Sequence, residues 1–311
     1  MFSIRRYTTT DKEIWDKFVQ NAKNAVFLFE RNFMDYHSDR FADHSLLFFK
    51  NDALLALLPA NEEDDKLISH SGLTYGGWLL PRNFHSKDIL DIFDILLDYL
   101  QKNNFNKLVY KSIPHIYHQI PAEEDLYALF KNNAELIART LSSTVQLPVK
   151  DKFATLRQRG IKKAKKWGIH IRKMDDFIVF WKILEKNLSE HHHIAPVHSS
   201  DEIILLKNRF PNNIQLYGAF LGEEMLAGIV IFESSNVAHA QYLAASPKGK
   251  ESGALDLLLA ELIINEFSGK KYFDFGISTE NEGKILNTGL LSQKEGFAAR
   301  SVVYDTYLIT Q

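Results

Sequence analysis

The chain has 311 residues, of which 45% are hydrophobic and 24% charged, with a formal net charge of -2 and no cysteine. At roughly 150 residues per domain, this length predicts two domains. The near-neutral charge excludes a global field that attracts nucleic acid, and the lack of cysteine excludes disulfides, a thiol nucleophile and cysteine-ligated zinc. Because no apolar run has the length of a signal-peptide core or a spanning helix, we expect a soluble, cytoplasmic protein without an integral membrane segment.

The same order of elements occurs twice along the chain. Polar turns between apolar runs predict hairpins, and apolar residues at helical spacing predict amphipathic helices, with Ser86 and Ser252 as N-caps. The first half gives a hairpin, strand, helix, strand, short helix and strand at residues 44–58, 72–80, 86–102, 106–113, 123–132 and 138–147. The second half gives the same series at residues 215–232, 238–245, 251–267, 271–276, 283–295 and 301–309.

A hairpin followed by a strand–helix–strand crossover is typical of an α/β fold with a mixed sheet. We therefore predict two modules, residues 1–150 and 151–311, with a boundary near residues 148–152 and a basic helix over 153–167 opening the second. The alternative is a single large α/β domain whose halves are similar by coincidence.

The C-terminal stretch carries a carboxylate within an apolar strand. Asp274 interrupts the strand Lys271–Gly276, and a polar loop and a helix follow. A buried carboxylate needs partners because an unpaired buried charge is costly. Asp274 either braces the loop or belongs to the wall of a cleft, since ligands of open α/β sheets bind beyond the carboxyl ends of strands.

Three segments resemble the FemABX-like acyltransferases of the GNAT (N-acetyltransferase) superfamily. They are Tyr272–Gly276 with Lys294–Phe297, the basic run Leu156–Ala164, and the polar pair His198-Ser199. The resemblance implies two tandem GNAT-like acyl-CoA N-acyltransferase folds. It also implies transfer of an acyl or aminoacyl group to an amine of a large, often nucleotide-linked, bacterial cell-envelope precursor.

In that family the lysine that corresponds to Lys294 lies near the reacting centre. The chain departs from the family pattern at Ala298, where glycine is usual, and at Gln293, where an aromatic residue is common.

The segment 246–254 is the predicted donor site, because glycines and lysines before a helix can hold a pyrophosphate on backbone N–H groups. Its spacing differs from the usual acetyl-CoA pattern, and a plain helix entry is the alternative. The first half has only Pro81–Ser86 at this place, so we expect its module to be structural or acceptor-binding. The predicted cofactor-binding residues are Tyr242, Ala244, Ser246, Lys248, Gly249, Lys250, Ser252 and Gly253.

Two further segments are candidates for substrate binding. Arg157–Lys173 contains eight Lys or Arg residues and no acid, and Arg159, Lys162, Lys163 and Lys166 fall on one helix face. Such a face either is merely solvated or binds phosphates of a nucleotide-sugar diphosphate, a tRNA acceptor stem or an anionic lipid carrier. Tyr75 and Trp78 flank paired glycines that either let a ligand approach or form a β-bulge.

Histidines are the candidate general bases, because imidazole titrates near working pH and an amine nucleophile must lose a proton. His198 and His193 lie in a polar linker and His239 lies in a strand, where it is either a base or a core histidine. We predict no metal, because the adjacent side chains of His191–His193 diverge.

The catalytic set is therefore His198, His239, Asp274 and Lys294. The predicted donor is acetyl-CoA or another acyl-CoA, and the acceptor is an amine of a sugar-nucleotide, peptidoglycan or polysaccharide precursor. The alternatives are an aminoacyl-tRNA-dependent transferase and a non-catalytic binding protein that has kept the fold.

Overall fold

The computed structural model describes residues 1–192 and 195–311, and the chain divides into two compact units. Unit 1 comprises Met1–Thr140, Thr279–Ile285 and Val303–Gln311. Unit 2 comprises Leu141–Ser278 and Leu286–Val302.

The elements are numbered in chain order. The strands are β1 Phe2–Arg6, β2 Ala42–Asp43, β3 Leu46–Lys50, β4 Ala53–Leu58, β5 Asn61–Glu63, β6 Lys66–Ile68, β7 Lys107–Lys111, β8 Glu135–Gln146, β9 His170–Met174, β10 Ile214–Leu221, β11 Glu224–Glu233, β12 Val237–Ala245, β13 Tyr272–Ile277, β14 Thr279–Glu280, β15 Ile285–Leu286 and β16 Arg300–Thr310. The helices are α1 Lys12–Asn21, α2 Arg31–Met34, α3 Asp88–Lys102, α4 Glu124–Lys131, α5 Thr155–Lys166, α6 Phe177–His192, α7 Ser200–Arg209, α8 Pro247–Ser252, α9 Ala254–Glu261 and α10 Thr288–Glu295.

Unit 1 contains a hairpin, β3–β4, and a crossover in which α3 connects the parallel strands β6 and β7. The apolar residues of α3 recur at helical spacing, so one face of the helix packs into the core while Asp91, Asp94 and Asp98 remain exposed. That core includes Ile89, Ile92, Phe93, Leu96, Leu100, Leu46, Phe48, Leu58 and Trp78.

The predicted strand over residues 72–80 is wrong. β6 pairs with β7 in its place, and residues 72–80 form an irregular segment held by single bridges. Gly76 passes so close to the backbone that a Cβ there would meet the Ser69 carbonyl oxygen at 1.9 Å, and Gly77 has a φ of +86°. The segment therefore cannot follow a regular strand path. α3 begins at Asp88 with Lys87, not Ser86, as its N-cap.

Unit 2 contains the hairpin β10–β11, continued by β12 on one side and β9 on the other. β12 runs parallel to β13, which in turn pairs antiparallel with β8. The core between this sheet and α9 contains aliphatic and aromatic side chains, among them Leu226, Ile229, Ile231, Leu258, Leu259, Ile263, Phe273 and Phe297.

The crossover helix predicted over residues 251–267 is interrupted in the structure. α8 begins after Ser246, whose side-chain oxygen accepts a hydrogen bond from the Gly249 N–H, and Pro247 occupies its first turn. Gly253 then adopts a φ of +78°, α9 follows, and a π-helical turn, Leu262–Glu266, ends the crossover. The N-cap is therefore Ser246 and not Ser252.

The final strand of each sequence half pairs with a strand from the other half of the sequence. Residues 142–146 of β8 pair with β13 in unit 2, and residues 306–310 of β16 pair with β7 in unit 1. The observed units therefore differ from a single cut between residues 150 and 151. Among the residues that the structure describes, no helix has the length and apolar character needed to cross a membrane.

Candidate functional site

The parallel pairing of β12 and β13 ends early. It covers Val237–His239 against Tyr272–Asp274, and the register of β12 with β11 then shifts between Ala240 and Tyr242. Gln241 is the extra residue of this bulge, which leaves an unpaired position and bends the strand. The backbone of β12 beyond the pairing therefore faces an opening in the sheet.

The bulge also decides which side chains share a face. His239 pairs with Phe232 and Tyr242 pairs with Val230, and those two β11 residues lie two positions apart on one face. His239 and Tyr242 thus lie on the same face, whereas a regular strand would place positions 239 and 242 on opposite faces.

Asp274 lies at the end of the β12–β13 pairing and is fully buried, with an exposed fraction of 0%. One carboxylate oxygen accepts hydrogen bonds from the hydroxyls of Ser142 (2.6 Å) and Thr144 (2.7 Å) on β8. The other oxygen lies 2.8 Å from Nδ1 of His239. Burial alone would raise the pKa of Asp274, but these hydrogen bonds and the charge of His239 lower it to about 2. Asp274 is therefore an anion at neutral pH, held by residues of β8 and β12.

The Asp274 bond defines the chemistry available to His239. An anionic acceptor at Nδ1 favours the tautomer in which that nitrogen carries the proton, so that Nε2 can accept one. Gly276 lies beside the ring, because a Cβ on it would be 3.3 Å from Cε1 of His239. The His239 side chain is 16% exposed, so the ring is sheltered but not sealed.

Lys294 lies within the field of Asp274 and is almost completely buried. Its Nζ donates hydrogen bonds to the carbonyl oxygens of Gly276 (2.8 Å) and Ile277 (2.7 Å), which secures the end of β13. Burial lowers the pKa of Lys294 to about 8, although the charge of Asp274 opposes this. Three of the four predicted catalytic residues, His239, Asp274 and Lys294, therefore come together at one strand end.

His198 is the fourth predicted catalytic residue and belongs to a neighbouring pair. Its Nδ1 lies 2.5 Å from the hydroxyl of Tyr242, which also accepts a hydrogen bond from the His198 N–H. The His198 ring also lies against Phe232, at 6.3 Å between ring centroids. Phe232 therefore lies between the two histidines on this face. His193, the other predicted base in this region, lies outside the described residues.

A cavity of about 810 Å³ lies beyond the carboxyl end of β12 in unit 2. This volume falls within the range of pockets that bind cofactors and other small ligands. The cavity is lined by Ala154, Leu156, Arg157, Leu184, Asn187, Leu188, Leu243, Ala244, Ala245, Gly249, Lys250, Gly253, Leu255, Asp256, Gly289, Leu290, Ser292, Gln293 and Gly296. Four predicted cofactor-binding residues, Ala244, Gly249, Lys250 and Gly253, thus lie in one wall.

The other four make contacts within the protein. Tyr242 bonds to His198, Ser246 caps α8, and Ser252 donates its hydroxyl proton to the Gly249 carbonyl. Lys248 forms an exposed ion pair with Glu224.

The open, glycine-rich phosphate loop predicted for residues 246–254 is not what the structure contains. The N–H groups of Gly249, Lys250 and Gly253 bond to Ser246 Oγ, the Ser246 carbonyl and the Gly249 carbonyl. The two glycines serve internal packing, because a Cβ on Gly249 would meet the Leu226 carbonyl oxygen at 2.1 Å. The same Cβ on Gly253 would meet the Gly160 carbonyl oxygen at 2.4 Å. The cationic side chains in the cavity wall are Arg157 and Lys250, and both could hold phosphate there.

The predicted substrate-binding residues lie in two different environments. Arg159, Lys162, Lys163 and Lys166 are all exposed on α5. Tyr75 and Trp78 are buried in unit 1, at 3% and 0% exposed, where Trp78 packs against Phe48. The prediction that Trp78 binds substrate is corrected, because a fully buried ring presents no surface to a ligand.

Sequence reasoning missed several residues at this site. Arg157 was included in the basic run without a role, yet it lines the cavity beside Asp256. Asn187 of α6 lines it too and donates a hydrogen bond of 2.8 Å to the Ala245 carbonyl. Ser142 and Thr144, which bond to Asp274, lie on β8, a strand that is far from β13 in the sequence but adjacent to it in the sheet. No local sequence pattern shows this pairing, so the two hydroxyls could not be identified from the sequence. No group of three or more potential metal ligands occurs among residues 1–192 and 195–311.

No protein-family model matches the sequence, and no curated protein sequence is similar to it. Solved structures are similar over nearly the whole chain. The structure of FemX has a TM-score of 0.66 at 9% identity, over 97% of this chain and 96% of that one. L-PGS from Bacillus licheniformis has a TM-score of 0.62 at 11% identity, over 97% and 90% of the two chains.

A tandem GNAT protein from the clavulanic acid biosynthesis pathway has a TM-score of 0.52 at 9% identity, over 100% of this chain and 98% of that one. Identities this low establish the fold and nothing further. The predicted fold class, a mixed α/β architecture with tandem GNAT-like folds, is confirmed.

Proposed function

We propose that the chain is an acyltransferase of the FemABX-like type, which moves an acyl or aminoacyl group from an activated donor to an amine. The donor would occupy the unit 2 cavity, and the reaction would take place where β12 leaves β13. The observation that carries this proposal is the His239–Asp274 pair, at the end of a strand pairing and beside a bulge. The acceptor class that we favour is a sugar-nucleotide, peptidoglycan or polysaccharide precursor that carries a primary amine.

The pair supports general-base catalysis on physical grounds. Asp274 is held as an anion by two hydroxyls and fixes the proton of His239 on Nδ1, which leaves Nε2 as the acceptor. A bound amine would form a bond to the donor carbonyl carbon while its proton passes to Nε2. The bond between the carbonyl and the carrier would break, and the leaving thiolate or hydroxyl oxygen would take up a proton.

Other groups of unit 2 would assist that step. The pairing of β12 with β13 ends at His239, and backbone N–H groups of β12 beyond that point would stabilise a developing oxyanion. Lys294 would fix the end of β13 and offset negative charge near Asp274. No serine or cysteine nucleophile is required.

The donor candidates are acyl-CoA, whose thioester provides an activated carbonyl, and aminoacyl-tRNA. Both carry phosphates, so the side-chain cations of the cavity suit either one. The exposed cations of α5, namely Arg159, Lys162, Lys163 and Lys166, would attract a polyanionic carrier, and salt would weaken that attraction. All four side chains are exposed, so they would be accessible to such a carrier.

Transfer assays test the proposal. The protein is incubated with acetyl-CoA or with a charged tRNA mixture, and with amino-sugar nucleotides as acceptors, and the release of CoA or the loss of aminoacyl ester is followed. We expect His239→Ala to reduce kcat by about 10²- to 10⁴-fold, which is the range for loss of a general base. His85→Ala, at an exposed histidine of unit 1, is the matched control and should leave the rate unchanged.

Activity that survives His239→Ala within twofold would exclude His239 as the base. The absence of transfer with either donor class would favour the alternative of a non-catalytic binding protein with a GNAT-like fold.

A further inference from the structure

The unit 2 cavity contains an ion pair that the proposed reaction does not use. Nη1 of Arg157, in the first turn of α5, lies 2.6 Å from Oδ1 of Asp256, in the first turn of α9. The two side chains are only 16% and 15% exposed, and both line the cavity. The Arg157 guanidinium also lies 5.8 Å from the centre of the Phe297 ring. The guanidinium is thus fixed on two sides.

The position of Arg157 is set by unusually close helix packing. Gly160, one turn further along α5, lies directly against Asp256, because a Cβ there would meet Oδ2 at 2.0 Å. Gly253 completes the contact, because a Cβ on it would meet the Gly160 carbonyl oxygen at 2.4 Å. Any larger residue at these positions would move α5 away from α9. The glycines therefore hold Arg157 and Asp256 at hydrogen-bonding distance.

The guanidinium retains donors for a ligand. It has five N–H donors in one plane, and the bond to Asp256 joins a single nitrogen to a single oxygen. A forked guanidinium of this kind suits phosphate and carboxylate oxygens better than a lysine does. The charged residues of the cavity wall are Arg157, Lys250 and Asp256, which leaves one net positive charge beside mostly apolar side chains.

We propose that Arg157 is the anion anchor of this cavity and binds a phosphate group of the donor, with Asp256 as the positioning residue that orients it. The identification of the ligand as the donor rests on the proposed function. The anion-binding role of Arg157 rests on the cavity and its lining alone. The phosphate would come either from a nucleotide coenzyme or from the 3′ end of a tRNA, and the apolar wall would contact the remainder of the ligand.

Binding to the full-length protein tests this assignment, with no acceptor present. The probes are CoA and a 3′-CCA RNA minihelix, and calorimetry or thermal shift gives the dissociation constants. We expect Arg157→Met to weaken binding of the probe at least tenfold and Arg157→Lys to retain an intermediate affinity. Gly160→Ala should weaken it by a smaller factor, because the added methyl displaces Asp256. Lys165→Met is the matched control, an exposed cation on the same helix that lies outside the cavity wall, and it should leave binding unchanged.

The outcomes separate the two proposals. Binding that depends on Arg157, without transfer to any acceptor, would support the anchor and count against the acyltransferase. Transfer with an unchanged donor KM in Arg157→Met would overturn the anchor and leave the acyltransferase intact. Equal losses of affinity in Arg157→Met and Lys165→Met would also overturn the anchor, because the overall positive charge of α5 would then explain both losses. Failure of CoA and of the minihelix to bind the wild-type protein at millimolar concentration would overturn the anchor as well. Because Arg157→Met also removes the ion pair with Asp256, the Arg157→Lys variant, which keeps the charge, provides a second measurement.

Discussion

Asp125 of unit 1 and Asp274 of unit 2 are both buried carboxylates, and their pKa values are shifted in opposite directions. In unit 1, Asp125 accepts a hydrogen bond of 2.6 Å from the Tyr110 hydroxyl, and burial raises its pKa to about 6, despite that bond. In unit 2, Asp274 has an imidazole and two hydroxyls as partners, and its pKa falls to about 2.

The comparison teaches that the partners, and not the depth of burial, decide what a buried acid can do. Asp125 is bonded to the Tyr110 hydroxyl and the Leu126 N–H, and Tyr110 links it to the backbone of Trp78, so the unit 1 network braces a core. The network around Asp274 is ionic and ends on a sheltered histidine beside an opening in the sheet. It is suited to proton transfer, which is why we place the reaction in unit 2.

The strongest test replaces each acid by its amide. In Asp274→Asn the amide N–H₂ faces donors, and His239 loses its charged partner, so we expect a loss of about 3–5 kcal/mol in the free energy of unfolding, typical of a broken buried pair. In Asp125→Asn the amide oxygen can still accept the Tyr110 bond, so the change should be neutral or stabilising. Denaturant unfolding at pH 7.5 measures both. Similar losses for the two variants would contradict the contrast between the networks.

The pH dependence of stability sharpens the same contrast. The pKa of Asp125 is raised in the folded state, so its cost is absent below about pH 4 and grows as the pH rises through about 6. The stability of Asp125→Asn relative to wild type should therefore increase over this interval, by about 2–3 kcal/mol for a shift of this size.

The pKa of Asp274 is lowered in the folded state, so its stabilising contribution is full above about pH 4 and is lost as the pH falls towards 2. The difference in stability between wild type and Asp274→Asn should therefore narrow over this interval, by about 2 kcal/mol for a shift of this size. If the stability of wild type, Asp125→Asn and Asp274→Asn changed in parallel from pH 2 to pH 7.5, the pKa shifts of Asp125 and Asp274 would both be ruled out.

A smaller effect concerns the two crossover helices. α3 of unit 1 is continuous, whereas the crossover of unit 2 breaks at Gly253. Gly253→Ala adds a Cβ at a φ of +78° and 2.4 Å from the Gly160 carbonyl oxygen, so we expect a loss of about 2 kcal/mol. Gly269→Ala is the control, because its Cβ would meet nothing within 4 Å, and it should change stability by less than about 0.5 kcal/mol. Thermal unfolding compares the two, and equal shifts would mean that the break carries no packing constraint.

The sequence by itself determined the two hairpins, the presence of a helical crossover in each half and the α/β class, but it placed the strand before the first crossover at residues 72–80 and not at β6. These follow from local signals: apolar spacing along α3, polar turns such as Asn51-Asp52, and the apolar runs of β10 and β11. The sequence also singled out His239, Asp274 and Lys294. The last came from a resemblance to a family motif, and the first two from a polar group within an apolar strand.

Only the tertiary structure decided which residues meet. Pairing of β8 with β13 brings Ser142 and Thr144 to Asp274, and the bulge at Gln241 places Tyr242 on the face of His239. The segment predicted as a phosphate loop is instead the junction of α8 and α9, where Gly253 packs against Gly160. This close packing brings Arg157 to Asp256. The physical reason is that strand partners, register shifts and helix contacts depend on how separate elements pack, often on residues far apart in the sequence, so no local pattern records them.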